Sequence, residues 1–419
     1  MYYGNKYNIV ILNHHASVPE VGGGGRHYEL SKELSEDGHK IMVIASSYDN
    51  GRHEYHSDED IKTRIINSNF IFKEIKTKPA YKNNFVRFIN YIDYMIKVSK
   101  LDDFNYQPNV IIASSVHPLA WIAGYKLSKK YDAKFIVEVR DLWPLDMYED
   151  FKGLVRKFVF TYFESLERKY YRLADKIITT APYAYEYMEE NYNINPNNVF
   201  HIPHGIDIEE FDKNSSQDDD VVSNGLREVL DNNFCVTYTG LLSRAEGLPT
   251  LVESAKYLKD INEIKILIVG SGRERDKLQN IIHKEELDNV IMIEKQPKSV
   301  IPVILKKSKI LFCGLEDRKA FKYGISKNKF YDYMASGKPI IFASSVRDSL
   351  IDKAKAGITI KPGDPENLAN TIRYIYNNID KLGIEYGESG RKYVEENHTN
   401  RKIAEQFLNV IESCYVKSK

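Results

Sequence analysis

Tyr323-Gly324-Ile325-Ser326-Lys327-Asn328-Lys329-Phe330-Tyr331-Asp332-Tyr333-Met334-Ala335-Ser336-Gly337-Lys338-Pro339 is the stretch whose reading decides the fold. An apolar run, Ile310 to Gly314, precedes it, and a second, Ile340 to Ala343, follows. The pattern predicts strand, short helix and strand, with the helix over Lys327 to Ser336. Gly337 then stands where the chain needs a positive φ to leave the helix. Ser326, Lys327, Asn328 and Lys329 fall at the helix N-terminus, where free N–H groups, the helix dipole and two ammonium groups favour an anion. One turn further, Asp332 is a lone carboxylate among aromatic residues. A phosphate binder at the tip and a hydroxyl binder one turn in would suit a sugar nucleotide. The plain alternative is a βαβ unit with a solvated lysine pair and a chance aspartate, and the stretch alone leaves both open.

Working outward, the same alternation runs in both directions. Upstream come Phe234 to Tyr238, Ile264 to Val269 and Val290 to Ile293 as buried strands, each leading into a polar turn and then a helix. The first half repeats the plan, with strands at Tyr7 to Leu12, Lys40 to Ala45, Val110 to Ala113, Lys134 to Val139 and Lys176 to Thr179. Near-continuous apolar strands alternating with helices mean parallel sheets covered on both faces. With 419 residues and 42% hydrophobic content, two cores are expected. The polar, low-complexity run at 212–225 marks the region of the boundary. Its Asp218-Asp219-Asp220 reads as a solvated loop rather than a metal site, because metal ligands need rigid support.

Composition excludes other classes. Lysine plus arginine number 59 and aspartate plus glutamate 59, so the basic excess of a nucleic-acid binder is missing. Three scattered cysteines (Cys235, Cys313, Cys414) form neither a disulfide framework nor a metal cluster, and fit a reducing cytosol. Met1 to Lys6 lead straight into the first strand without an apolar leader, and no run approaches a membrane span, so a cytoplasmic protein is expected. Gly22-Gly23-Gly24-Gly25 fails the dinucleotide pattern, since His27 stands where the third glycine belongs and Ala45-Ser46-Ser47 replaces the acid after strand two. The loop reads instead as a close approach of backbone to a ligand.

The ordered set of motifs resembles retaining glycosyltransferases of the GT-B fold, of the group 1 or family 4 type, over nearly the whole chain. Pro19-Glu20-Val21-Gly22-Gly23 with Arg26, Tyr28-Glu29-Leu30 and Gly38-His39-Lys40 looks like that family's first loop and helix. Ile202-Pro203-His204-Gly205-Ile206-Asp207 looks like its hinge, Val269-Gly270-Ser271-Gly272 like its second-domain glycine turn, and Gly324 to Pro339 like its donor helix. Glu138 to Pro144, with Thr77, Tyr81, Asn84 and Arg87, is similar to the bacterial fucosamine-transferase-like subgroup of O-antigen and capsule assembly.

The resemblance implies an α/β chain with two Rossmann-like doubly wound domains and a cleft between them. Residues 1–207 would bind acceptor and 208–390 nucleotide sugar, while 391–419 would form a C-terminal helix packing back on the N-terminal domain. It implies an enzyme of retaining hexosyl type. The enzyme would move an amino or deoxy sugar from a uridine-diphosphate donor to a polyprenyl-diphosphate-linked saccharide, with neither cofactor nor metal. Arg244 and Lys329 would neutralise the diphosphate, as preorganised charge meeting charge that develops in transfer. Asp332 would take the ribose hydroxyls. Gly240, Gly270, Gly272, Lys295, Gln296 and Ser326 would shape the donor pocket, and Gly23 and Gly24 would approach from the other domain. His117 and Asp141 are candidates for positioning the acceptor; a capping histidine and an aspartate paired with Arg140 are the bland alternatives.

Two departures stand out. The family's two glutamates eight positions apart become Gly324 and Asp332, and the lysine it carries before the Gly247 position becomes Glu246. A sugar-nucleotide 2-epimerase of the same fold and a non-catalytic glycosyltransferase-like subunit therefore stay open. The aromatic-basic segments Tyr81 to Lys100 and Leu154 to Lys176 allow two readings: seating on an anionic inner membrane surface, or an ordinary core with a solvated basic face.

Overall fold

The computed structural model describes residues 5–22, 24–49, 52–80, 84–146, 153–217 and 221–416. It divides into two compact units, Gly205–Thr399 and the remainder, Met1–His204 with Asn400–Lys419. The division falls at residues 204/205 and 399/400. The polar run at 212–225 thus lies inside the second unit, where it includes part of the helix Ile208–Ser215, and residues 391–399 stay there too. Asp218 to Asp220 lie outside the described residues.

Among the described residues the first unit has ten strands: β1 Asn8–Leu12, β2 Lys40–Ser46, β3 Tyr48–Asp49, β4 Glu54–Tyr55, β5 Ile61–Asn67, β6 Phe70–Ile75, β7 Val110–Ser114, β8 Lys134–Val139, β9 Lys176–Thr179 and β10 Val199–His201. Eight form one sheet in the order β10-β9-β8-β7-β1-β2-β6-β5. All neighbours are parallel except β5 on β6. Strand β1 shows why the sheet is covered twice. Ile9 and Ile11 enter one core with Leu30, Leu34, Ile403 and Phe407, while Val10 and Leu12 enter the other with Tyr94, Val98, Ala120 and Leu127. Successive side chains point to opposite faces, so an all-apolar strand feeds two cores. The helix Asn400–Ser413 belongs to the first of these, and Arg401 ties it to Asp37 at 2.8 Å. No strand is expected between Ala45 and Val110 on the sequence pattern, yet β5 and β6 form an antiparallel edge there. Edge strand β5 alternates exposed and half-buried residues with little apolar contrast, which hides it from periodicity.

Among the described residues the second unit has six parallel strands: β11 Phe234–Leu241, β12 Ile264–Ser271, β13 Val290–Ile293, β14 Ile310–Gly314, β15 Ile340–Ala343 and β16 Gly357–Ile360. Their order is β13-β12-β11-β14-β15-β16. Strand order therefore reverses between β11 and β14 here, and between β1 and β7 in the first unit. Such switch points open a crevice at the carboxyl ends of the strands, where doubly wound folds bind ligands. The helix Asn328–Ala335 lies between β14 and β15 in sequence and buries Phe330, Tyr331, Tyr333 and Met334. Gly337 follows it at φ 68°, the left-handed exit expected from the sequence.

Candidate functional site

The second unit's switch point gathers residues from three loops. Strand β11 ends in Gly240-Leu241, and the chain then makes a single 3-10 turn, Arg244–Glu246, closed by Gly247 at φ 58°. That turn aims the Glu246 side chain inward, 12% exposed. It meets Lys327 Nζ at 2.5 Å through one carboxylate oxygen and Lys329 Nζ at 2.6 Å through the other. Lys329 also donates to the Tyr238 hydroxyl at 2.9 Å and lies 4.1 Å above the Tyr238 ring centroid, a cation–π contact. Burial pushes the Glu246 pKa upward, but Lys329 and Lys327 outweigh it and hold the carboxyl below its usual range.

The helix Asn328–Ala335 is fixed by its buried face, where the Tyr333 hydroxyl accepts from the Thr239 backbone N–H at 2.9 Å. The opposite face carries Lys329 and Asp332, three residues apart and so side by side. Asp332 is half-buried and makes no hydrogen bond through its carboxylate among the described residues. Burial lifts its pKa to about 6, against the pull of Lys298. Ser326 Oγ, just ahead of the helix, is buried without a hydrogen-bond partner. A donor, an acceptor and two ammonium groups thus converge on one helix tip.

Other expected donor-site residues behave differently. Arg244 does not join the lysines. Its guanidinium is 70% exposed and pairs with Glu316 at 3.1 Å. Both cations expected to await a diphosphate are therefore held by carboxylates, because Glu246 and Glu316 lie within their reach. Gly240, at φ 144°, lets Lys329 pass: a Cβ there would stand 3.0 Å from its Nζ. Gly270 and Gly272 have a packing reason to be glycine, since a Cβ would fall 1.9 Å from Gly240 O and 2.3 Å from Leu242 O respectively. In the turn after β13, Glu294 pairs with Arg275 at 2.9 Å, the Gln296 amide donates to the Glu294 carbonyl at 3.0 Å, and Lys295 is exposed.

In the first unit, Gly23 lies outside the described residues, as does Tyr81. Gly24 has φ 67°, and its carbonyl accepts from Ser17 Oγ at 3.2 Å. His117, after β7, is fully buried. Its Nε2 lies 2.9 Å from Nδ1 of His14, which follows β1, so the pair spans the switch point. Burial lowers both pKa values well below the ordinary histidine range, so the pair is neutral. Tyr91 stacks on His117 at 4.1 Å. His117 is therefore neither exposed nor a helix cap. Asp141 is exposed and forms no ion pair with Arg140. The protein around its carboxyl raises its pKa, while the nearby Arg140 charge pulls it down.

Beside this pair lies a network that the sequence reading missed. Glu138, at the end of β8, accepts from Arg26 Nε at 2.8 Å and pairs with His27 Nε2 at 2.5 Å. Arg26 also donates to the carbonyls of Ile202, at 3.0 Å, and Pro203. The one available signal was a glutamate inside an otherwise apolar parallel strand, which demands buried partners.

Residues 21–210 match the Glycosyltransferase Family 4 domain and residues 227–393 the Glycosyl transferases group 1 domain. The chain thus carries both glycosyltransferase domain types, on the GT-B fold. It is 22% identical over 219 residues to the putative colanic acid biosynthesis glycosyl transferase WcaI of Escherichia coli K12, covering 51% of each chain. It is 23% identical over 217 residues to the capsular polysaccharide biosynthesis glycosyltransferase CapM of Staphylococcus aureus, covering 50% of this chain and 52% of that one. The glycosyltransferase thus spans about half the length of the curated relatives it matches. Among solved structures, sucrose-phosphate synthase from Thermosynechococcus elongatus superposes with TM-score 0.73 at 17% identity, covering 98% of this chain and 99% of that one. Anabaena HepE in complex with UDP gives TM-score 0.68 at 15% identity, covering 97% and 100%. At these identities the likeness establishes the fold of the glycosyltransferase.

Proposed function

We propose that this glycosyltransferase moves an amino or deoxy sugar from a uridine-diphosphate donor to a polyprenyl-diphosphate-linked saccharide, with retention, in surface-polysaccharide assembly. The observation that carries the donor half is the tip of Asn328–Ala335. Lys327, Lys329 and an unpartnered Ser326 Oγ surround a helix N-terminus, and an uncommitted Asp332 stands one turn away. The diphosphate takes the N–H groups and the two ammonium groups, and Asp332 accepts from ribose hydroxyls. The anomeric C–O bond breaks with its electron pair going to the diphosphate, whose growing charge the lysines stabilise without a metal ion. The acceptor hydroxyl attacks from the same face and passes its proton to the departing phosphate oxygen. Glu246, the carboxylate reaching this tip from the β11 turn, is held by both lysines, and Asp332 is assigned to the ribose, which favours front-face departure over a covalent intermediate. The names of WcaI and CapM support the pathway, and the HepE complex with UDP supports the choice of uridine.

The test is a screen of nucleotide sugars for thermal stabilisation, followed by transfer assays with polyprenyl-diphosphate saccharides. UDP release that depends on the acceptor is expected, and Lys329→Ala should abolish it while the chain stays folded. Interconversion of a UDP-sugar with its 2-epimer, without acceptor, would replace transfer by epimerisation.

We further propose a cytoplasmic enzyme seated peripherally on an anionic membrane surface. No helix among the described residues is long and apolar enough to cross a membrane. The helix Gly153–Leu173, however, exposes Phe158 at 78%, Tyr162 and Leu173 alongside Lys157, Lys169 and Arg172. Apolar anchors among basic residues suit such a surface.

A further inference from the structure

The first unit's switch point carries two cations that the donor chemistry does not use. Arg140 is the residue after β8, and its backbone N–H is held by Ser115 Oγ at 3.1 Å. Arg87 lies one helical turn before Tyr91 on Asn84–Ser99, so it shares the face of the ring that stacks on His117. Tyr91 also stands edge-on to His14, with centroids 5.3 Å apart, and to His15 at 6.2 Å. Both residues thus stand beside one cluster of rings at the carboxyl ends of β1, β7 and β8. Their charges converge on the same imidazole: after burial, Arg87 and Arg140 are what lower the His15 pKa, to about 4.

Neither guanidinium has an ion-pair or hydrogen-bond partner among the described residues, although both residues are half-buried. Several other buried or half-buried arginines are paired instead. Arg26 is paired with Glu138 at 2.8 Å, Arg64 with Glu74 at 2.9 Å and Arg391 with Asp212 at 2.6 Å. A guanidinium drawn partly out of water without a counter-charge is unfavourable. Two acids are near. Asp49 bears on His15 but is 3.6 Å from His56, and Asp141 is exposed beside Arg140 without pairing to it. The charge of the group stays positive, and the fork geometry of arginine suits phosphate oxygens. Trp143 is half-buried, 6.4 Å from the buried Tyr91 ring.

We infer that Arg87 and Arg140 form an anion site in the first unit that binds the diphosphate of the lipid-linked acceptor. This rests on the transfer reading above. The alternative source of the same chemistry is the donor's own diphosphate, and the experiment separates the two.

Farnesyl diphosphate, inorganic pyrophosphate and UDP are titrated by calorimetry into the full chain and into Arg87→Gln, Arg140→Gln and Arg140→Lys. Farnesyl diphosphate and pyrophosphate should bind the wild-type chain. Each glutamine variant should weaken both by about tenfold or more, the usual worth of a charge-assisted contact. Arg140→Lys should lose less than Arg140→Gln, because the charge survives although the fork is lost. UDP affinity should be the same in all four proteins. Unchanged farnesyl diphosphate affinity in both glutamine variants overturns the inference. So does a parallel loss of UDP affinity, which would give the arginines to the donor, or a wild-type chain that ignores farnesyl diphosphate. A wild-type chain that binds farnesyl diphosphate through these arginines but ignores UDP would instead sink the donor reading and leave this site standing.

Discussion

Glu246→Gln probes the central oddity of the donor site. The change keeps the shape of the side chain and one acceptor oxygen but removes the charge that holds Lys327 and Lys329. A phosphate oxygen accepting from Lys329 would lie about 3 Å from its Nζ. The Glu246 carboxylate lies 2.6 Å from that same nitrogen. The two anionic groups would therefore be centred roughly 6 Å apart. At that distance, unit charges repel by about 1.4 kcal/mol with an effective dielectric of about 40, and by about 2.8 kcal/mol with about 20. Freeing two lysine chains takes back about 0.5 to 1 kcal/mol in rotamer entropy. The net expectation is that UDP binds the variant more tightly by about 1 to 2 kcal/mol, or about 5- to 30-fold. Calorimetric titration of UDP at low salt measures this, and the gap should narrow near 0.15 M salt, where the Debye length is about 8 Å. Equal or weaker UDP binding by Glu246→Gln at low salt would refute the placement of the diphosphate against these lysines.

A second expectation concerns Glu167, which accepts from Tyr171, Tyr187 and Tyr192 at 2.9, 2.9 and 2.6 Å in the first unit's core. Burial lifts its pKa to about 7, above the 4.5 of a free glutamate, despite those bonds. A carboxyl with a raised folded pKa stabilises most when protonated. Its contribution is full below pH 4.5, declines as pH rises to about 7, and then stays flat, a change of about 3 kcal/mol. Urea unfolding from pH 4.5 to 8 should show wild-type stability falling by that amount relative to Glu167→Gln, and parallel curves would contradict it. For the membrane surface, the chain should sediment with anionic vesicles at low salt and be released by added salt, and Phe158→Ser should weaken that binding. Failure to sediment at low salt would end the idea.

The alternation of strands and helices was legible because both sheets are parallel and covered on both faces. Runs such as Ile9 to Leu12 and Ile310 to Cys313 are apolar throughout, and the turns between them carry the polar residues. Gly337 could likewise be read, since it ends a helix at positive φ. What could not be read was pairing. Lys329 and Glu246 are 83 residues apart, and nothing local says that a carboxylate in one loop will reach an ammonium in another. His117 stands in a polar turn at a strand end and looked accessible. It is buried because His14, from the strand at the other side of the switch, closes over it. The glycines of the second domain were legible as necessary but not for the right reason. Gly270 is required by the neighbouring backbone of Gly240 before any ligand is considered. The edge strand β5 was silent because a half-exposed edge has no apolar period to display; β6, though buried, carries Lys73 and Glu74 within its short run.

The two departures from the family pattern belong together once the contacts are known. Taken singly, Gly324 removes a carboxylate from the donor helix region, and Glu246 replaces a lysine by an acid at the β11 turn. Each alone looks like damage to a phosphate site, and together they would leave it with the wrong charge. The structure brings Glu246 onto Lys327 and Lys329, so the carboxylate missing at one loop is supplied from the other, and a cation missing at the β11 turn is supplied at the helix tip. Three charged groups still surround the N-terminus of Asn328–Ala335, one carboxylate from the β11 turn and two ammonium groups from the helix tip itself. A lysine restored at 246 would face Lys327 and Lys329 with no acid among them. Three like charges in a half-buried turn repel by more than a single phosphate contact can offset. Glu246 is therefore better understood as the counter-charge that lets two lysines share one helix tip than as a lost phosphate ligand.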